Sequence, residues 1–185
     1  MCYKINNNMK QFNVPTRDQV SPENQQIFDH LQVKVGFVPN IYATYAYSSS
    51  ALSRYLTFAN GRTSLNNKEK EVINLIVSQI NECTYCLAAH TAIGKMNGFT
   101  DEQIIELRRG NASFDQKFDA LVKLAAAIIK NRGTISEDIL NNFYEAGYND
   151  ENLIDVIVGV GEKSITNFLH KATNIPVDFP EALPL

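Results

Sequence analysis

The chain has 185 residues, of which 44% are apolar, and its formal net charge is -3 at pH 7. A chain of this length and apolar content can form one domain with a buried core. The small negative charge offers no basic surface for nucleic acid. The first residues lack the apolar segment of a signal peptide, and no apolar run is long enough for a membrane span. We therefore expect a cytoplasmic protein that binds neither nucleic acid nor a membrane.

The first part of the chain reads as six helices separated by short breaks. Ser21 and Pro22 form a helix start, and Gly36 ends that helix. Apolar residues at helical spacing place the others, with Asn66 or Asn67 and then Thr100 as cap residues. Tyrosines are frequent in the second and third helices, where packing is favoured over pocket lining. The predicted helices cover about residues 22–35, 40–47, 50–60, 67–80, 83–98 and 101–110.

Three more helices are predicted, over residues 115–131, 136–147 and 150–173. The first is strongly amphipathic, with Phe118, Leu121 and Ile128 among its inward residues. The last carries the apolar residues Leu153, Ile154, Ile157, Val158 and Phe168. No segment shows the period-two pattern of a strand. We predict an all-α fold, a single-domain bundle of about eight or nine helices over residues 21–175, with a loose arm at 1–20 and an extended tail at 176–185.

The stretch NECTYCLAAHTAIG carries the clearest chemical signal. Cys83, Cys86 and His90 stand three and four residues apart, so on one helix they share a face. Asn81 is the expected N-cap, which would place both sulfurs in the first turn of a new helix. Unpaired backbone N–H groups and the helix dipole favour a thiolate there. The pattern is typical of a redox site.

Other interpretations of these residues stay open. Cys83, Cys86 and His90 could ligate a structural zinc ion, with His30 or His170 as the fourth ligand. The fold could also serve as an interaction module without catalysis. Otherwise His30 is expected to be structural and Cys2 to be an uninvolved thiol. His170 is expected to be a surface or core histidine, with an approach to the pocket as the alternative.

The arrangement of Glu71, Cys83, Cys86 and His90, E-x11-C-x-x-C-x3-H, resembles the alkylhydroperoxidase D-like branch of the carboxymuconolactone decarboxylase family. The VPN element after residue 36 and the closing NFLHKATNIPVDFPEA are similar to its peroxidase-related subgroup. The resemblance implies a helical subunit of a homo-oligomer, commonly a trimer or hexamer. It also implies peroxide reduction by a cysteine pair without a flavin, a metal or another bound cofactor, with an external dithiol or protein reductant.

The resemblance also implies the role of each residue. Cys86 would be the cysteine that attacks peroxide, Cys83 the one that resolves it, and His90 with Glu71 the proton relay. Tyr85 is part of the predicted site because better-studied members of this branch have a second histidine at its position, and a tyrosine is a poor proton acceptor near neutrality. The predicted function is a thiol-dependent peroxidase or disulfide oxidoreductase acting on organic hydroperoxides. The alternatives are a metal-binding or interaction module and, last, a decarboxylase of a muconolactone-type substrate.

Overall fold

The computed structural model describes residues 12–185, so Cys2 lies outside the described part of the chain. Within residues 12–185 the protein forms nine α-helices and no strand, which confirms the predicted all-α fold. A short 3-10 turn precedes them at Arg17–Gln19. The helices are α1 (Pro22–Val35), α2 (Asn40–Tyr45), α3 (Ala51–Ala59), α4 (Asn67–Ile80), α5 (Thr84–Met96), α6 (Asp101–Arg109), α7 (Gln116–Lys130), α8 (Glu137–Glu145) and α9 (Asp150–Thr173).

Side-chain caps fix most of the helix starts. The side chains of Ser21, Asn66 and Thr100 each accept a hydrogen bond from the backbone N–H three residues later. Helix α2 is shorter than the predicted range 40–47, because the N–H groups of Ala46 and Tyr47 bond three residues back and tighten the last turn. Helix α3 is also shorter than predicted, by one residue at each end.

Helix α4 lies at the centre of the molecule and contacts α5, α6, α7 and α9. Apolar residues surround it almost completely, as expected for a helix with neighbours on several sides. Val72 and Leu75 of α4 are fully buried, as are Leu121 and Leu124 of α7. The core therefore holds α4 rigidly between its neighbours. A smaller apolar cluster joins α1, α2 and α3 through Val20, Phe28, Ala43, Ala46 and Leu52.

Helix α9 turns a partly polar stripe inward. Four of its five predicted apolar residues, Ile154, Ile157, Val158 and Phe168, are between 44% and 59% exposed. These side chains lie on the outer side of α9, because the helix meets α4 with its other face. That face contains side chains three and four residues apart, namely Val156, Val160, Lys163, Asn167 and His170.

The two ends of the described chain pack on the helices. The Phe12 N–H donates to the Thr173 carbonyl at 3.2 Å, and Val20 is buried. Residues 12–20 are therefore not the loose arm that their composition suggests. The tail at residues 176–185 is extended and crosses its own domain, with the Asp178 carboxylate accepting the Asn40 N–H at 2.7 Å. This contact joins positions far apart in the chain and closes one side of the molecule.

Across residues 12–185, each helix is too short or too polar to cross a lipid bilayer.

Candidate active site

The site forms where α4 reverses into α5. Helix α4 ends at Ile80, Asn81 caps its C-terminus, and Glu82 takes a left-handed conformation with φ of 54°. Cys83 then serves as the N-cap of α5, and its N–H donates to the Ser78 carbonyl at 2.9 Å. The prediction that Asn81 is the N-cap is wrong, although a break does occur there. The reversal lays α5 alongside α4, which brings Glu71 towards α5.

The two cysteines occupy different environments. The backbone N–H of Cys86 donates to the Cys83 sulfur at 3.4 Å, so Cys83 caps the helix through its side chain. Both cysteines are free thiols. Cys83 is completely buried, whereas Cys86 forms part of the wall of a cavity that Cys83 does not reach. A molecule in the cavity can therefore meet the Cys86 sulfur first.

The pair is electrostatically asymmetric. A hydrogen bond from the Cys83 thiol stabilises the Cys86 thiolate. Burial opposes ionisation of Cys86, whereas positive charge on Lys163 and His90 assists it. Together these effects lower the pKa of Cys86 to about 6. The Asn167 amide also faces both sulfurs. The hydrogen bond to Cys86 and burial raise the pKa of Cys83 well above its usual range. Cys86 is therefore the thiolate and Cys83 the thiol at neutral pH.

His90 and Glu71 form an ion pair beside the cysteines. The distance from His90 Nδ1 to Glu71 Oε2 is 2.8 Å, and Asn74 donates to the other carboxylate oxygen at 3.0 Å. Burial disfavours the charged form of Glu71, but His90 and Asn74 outweigh it and lower the pKa of this carboxyl group. The negative charge of ionised Glu71 orients the imidazole through Nδ1, and Nε2 of His90 remains for other partners.

Tyr85 lies inside the C-x-x-C sequence and is buried. Its hydroxyl accepts the Ile41 N–H at 3.2 Å, and its ring packs against His170 and Phe179 with centroid distances of 5.4 and 5.7 Å. Burial and the nearby Asp178 carboxylate raise the pKa of Tyr85 above its usual value. Tyr85 thus forms part of the cavity wall and ties α5 to α2.

The cavity has a volume of about 960 Å³. Its polar lining includes Cys86, His90, Glu71 and Lys163. The wall is otherwise mostly apolar and includes Phe37, Ile41, Phe58, Ile93, Met96 and Phe179. Such a cavity is large enough for an organic molecule with an apolar body.

Comparisons with known proteins agree with this architecture. Residues 49–126 match the family described as the carboxymuconolactone decarboxylase family. A peroxidase-related protein from Silicibacter sp. TM1040 is 26% identical with a TM-score of 0.79, covering 96% of this chain and 95% of that chain. The chain is therefore similar to the carboxymuconolactone decarboxylase family over residues 49–126 and to a peroxidase-related protein over nearly its whole length.

Two further solved structures have a similar fold. An alkylhydroperoxidase AhpD core, a peroxidase-related protein from Ralstonia eutropha JMP134, is 21% identical with a TM-score of 0.82, covering 91% of this chain and 92% of that chain. A variant of the debrominase Bmp8 in complex with 2,3,4-tribromopyrrole is 14% identical with a TM-score of 0.74, covering 92% of both chains. At these identities the likeness supports the fold alone.

The structure adds two residues of α9 that sequence reasoning missed. Lys163 is buried at the cavity, and Asn167 donates to Ser78 at 3.2 Å while accepting from Asn81 at 2.9 Å. Asn167 therefore joins α9 to the helix junction that carries the cysteines. A signal for both was present, because Lys163, Asn167 and His170 recur at helical spacing along the helix.

The remaining histidines do not assemble around the cysteines. His30 is exposed on α1, and His170 is buried with Nε2 3.2 Å from the Ile175 carbonyl oxygen. Over the described ranges, no three His, Cys, Asp or Glu side chains are arranged to hold a metal ion. The ligand set considered for zinc is therefore not assembled. The tyrosines of α2 and α3 both pack and line the cavity, since Tyr45 stacks on Tyr55 at 4.5 Å while Tyr42 and Tyr55 form part of the wall.

Proposed function

We propose that the protein is a thiol-dependent peroxidase or disulfide oxidoreductase that reduces organic hydroperoxides through Cys86 and Cys83. The observation that carries the proposal is the asymmetry of the pair. The acidified sulfur of Cys86 faces the cavity, while the neutral thiol of Cys83 lies buried directly behind it. A peroxidatic and a resolving cysteine need this division.

In the first step the Cys86 thiolate attacks the distal oxygen of the hydroperoxide. The S–O bond forms as the O–O bond breaks, the cysteine is oxidised to a sulfenic acid, and the departing alkoxide takes a proton to become an alcohol. His90, one turn beyond Cys86 and oriented by Glu71, is the proton carrier of this step. Tyr85 holds the wall of the cavity and is assigned no proton transfer.

In the second step Cys83 attacks the Cys86 sulfenic acid. An S–S bond forms, the S–O bond breaks, and the hydroxide released combines with the Cys83 proton as water. An external dithiol then reduces the disulfide by thiol exchange. No bound cofactor takes part in this scheme. The homo-oligomeric assembly, the reductant and the cytoplasmic location stay predictions from the sequence.

Steady-state turnover tests the proposal. The protein is mixed with cumene hydroperoxide and dithiothreitol, and peroxide loss is measured for the wild type, Cys86→Ser and the control Cys2→Ser. We expect the wild type and the control to consume peroxide equally, and Cys86→Ser to fall to the background rate. Equal consumption by Cys86→Ser, or none by the wild type, would contradict the proposal. The second result is what a module without catalysis would give.

A second candidate is reductive dehalogenation of an aromatic substrate. Two observations favour it: the fold is similar to that of the debrominase Bmp8, and aromatic residues line the cavity. The same pair would supply two electrons, so that an aryl bromide and two thiols become the arene, bromide, a proton and the disulfide. Release of bromide from 2,3,4-tribromopyrrole, with no consumption of hydroperoxide, would favour this reaction. Decarboxylation ranks last, because it has no use for a cysteine pair.

A further inference from the structure

Lys163 is an unusual residue for its position. Its side chain is only 7% exposed, it lies midway along α9, and it forms part of the same cavity wall as Cys86. Lysine is rarely buried unless its charge is balanced, because removing an ammonium group from water is costly. Nearby negative charge must therefore stabilise the buried ammonium group of Lys163.

A single carboxylate does not balance this charge. The nearest carboxylate oxygen among the described residues is Glu162 Oε1, at 3.8 Å from Nζ, which exceeds hydrogen-bond length. That same oxygen already accepts a hydrogen bond from the Tyr55 hydroxyl. Glu162 is therefore shared between two partners, and Lys163 needs further negative charge.

The other groups that face Lys163 point to Cys86. Burial disfavours the charged form of Lys163, but Glu162, the Cys86 thiolate, Tyr42 and Glu71 outweigh it and raise the pKa of the amine. Lys163 is consequently a cation throughout the neutral range. Of these partners, Glu71 is paired with His90 at 2.8 Å and Tyr42 is a neutral phenol, so the Cys86 thiolate is the anion left for Lys163.

Besides Lys163, few groups near the Cys86 sulfur can be cationic. Groups from three helices face its sulfur, and of these only Lys163 and His90 can carry positive charge. An imidazole that carries protons changes its charge during turnover, whereas a lysine ammonium keeps it. The facing groups are Tyr42 and Tyr45 of α2, Cys83, Tyr85 and His90 at the start and along α5, and Lys163 and Asn167 of α9.

We propose that Lys163 is the permanent counter-cation of the Cys86 thiolate. Lys163 keeps the sulfur ionised whatever the protonation of His90, which leaves His90 and Glu71 free to move protons. Glu162 and Tyr55 hold the lysine in place from the other side. Lys163 is thus a positioning residue that acts through Cys86. The proton transfer by His90 and Glu71 rests on the proposed function, whereas the charge pair of Lys163 and Cys86 does not.

The test measures the ionisation of Cys86 without any peroxide. In a Cys2→Ser background, the rate of alkylation of Cys86 by iodoacetamide is followed against pH by peptide mass mapping. The variants are Lys163→Met, Lys163→Arg and the control Lys171→Met, which removes an exposed lysine from the same helix. We expect Lys163→Met to raise the midpoint pH of Cys86 alkylation by at least about one unit. At a pH below both midpoints, this shift corresponds to a roughly tenfold loss of thiolate. Lys163→Arg should keep a low midpoint, and Lys171→Met should match the wild type.

Two results would overturn the proposal: an unchanged midpoint in folded Lys163→Met, or the same rise in Lys171→Met. Should the methionine variant fail to fold, Lys163→Gln replaces it. A reciprocal measurement needs no lysine variant, because pairing acts equally on both partners. The NMR titration of the Lys163 ε-carbon should move to lower pH in Cys86→Ser, and an unmoved titration would also overturn the proposal. Since no step uses peroxide, failure of this pairing is distinguishable from failure of the peroxidase.

Discussion

His90 Nδ1 lies 2.8 Å from Oε2 of Glu71, although nineteen positions separate the two residues in the chain. The contact exists because the chain reverses at residues 81–83 and folds α5 against α4. The contact holds Nδ1 of the imidazole and leaves Nε2 for proton transfer. The Glu71–His90 pair therefore depends on the reversal.

The first prediction concerns the selectivity of alkylation. In a Cys2→Ser background, iodoacetamide should modify Cys86 with a midpoint near pH 6, because its pKa is lowered to about 6. The rate should fall about tenfold for each pH unit below that midpoint. Cys83 should react slowly up to alkaline pH, since its pKa is raised. Peptide mass mapping after timed alkylation checks both rates, and faster labelling of Cys83 would contradict the assignment.

The second prediction concerns Glu71→Gln. This change keeps the shape of the side chain but removes the charge that orients His90, and we expect turnover to fall about a hundredfold with little change in KM. The measurement is kcat with cumene hydroperoxide and dithiothreitol. Glu69→Gln is not a suitable control because Glu69 caps α4, so Glu145→Gln, at an exposed position on α8, serves instead. Wild-type turnover in Glu71→Gln would exclude the relay.

The third prediction concerns the same ion pair and acid stability. The pKa of Glu71 is lower in the folded protein than its ordinary value of about 4.3, so the unfolded chain binds a proton first as pH falls. The stability that ionised Glu71 provides is complete above about pH 4.3 and is lost as pH falls through the lower, folded value. Chemical denaturation of the wild type and Glu71→Gln should give free energies that converge on acidification. A constant difference would contradict the lowered pKa.

The fourth prediction concerns His170. Burial lowers its pKa, opposed by the hydrogen bond to the Ile175 carbonyl, so the folded protein favours the neutral ring. Below its ordinary pKa of about 6.5, the unfolded chain gains a proton that the folded chain resists, and stability falls. His170→Gln should unfold with less pH dependence between pH 6.5 and 5. His30→Gln, at an exposed position, is the control and should behave as the wild type.

The fifth prediction concerns the tail. The ring of Phe179 packs against Phe37 and Tyr85 with centroid distances of 5.6 and 5.7 Å and closes one side of the cavity. We expect Phe179→Ala to lower the free energy of unfolding by about 1–3 kcal/mol, less than for a fully buried phenylalanine. Leu185→Ala, at an exposed position, should change it by less than about 0.5 kcal/mol. Equal effects of the two changes would contradict this packing.

Removal of residues 176–185 tests a separate prediction about assembly. If the tail contributes to a homo-oligomer, the deletion should lower the native mass. An unchanged mass with lowered stability would restrict the tail to its own subunit.

Local sequence signals were sufficient for the helices and for part of the site. The amphipathic pattern of α7 and the caps of α1, α4 and α6 agree with the structure, because hydrogen bonds and apolar faces within a few residues determine them. The reversal near residue 81 was also predictable. Its cap was not, because a cysteine sulfur replaces the asparagine side chain expected there.

Long-range contacts were beyond the reach of local patterns. The inward face of α9 depends on what α4 presents to it, so an apolar helix with a polar inner stripe could not be oriented from its own sequence. The contact of Asp178 with the N–H of Asn40 likewise joins distant parts of the chain. Lys163 was overlooked because a lysine in an amphipathic helix is ordinarily exposed.

The most direct test of the account is the intact mass of the protein before and after one equivalent of cumene hydroperoxide. In a Cys2→Ser background, the chain with both site cysteines should lose two hydrogens as the Cys83–Cys86 disulfide forms. With Cys83→Ser added, the chain should instead gain one oxygen, located on Cys86 by peptide mapping. An unchanged mass in both proteins, or an oxygen retained on Cys83 when Cys86 is replaced by serine, would contradict the assignment of Cys86 as the attacking cysteine.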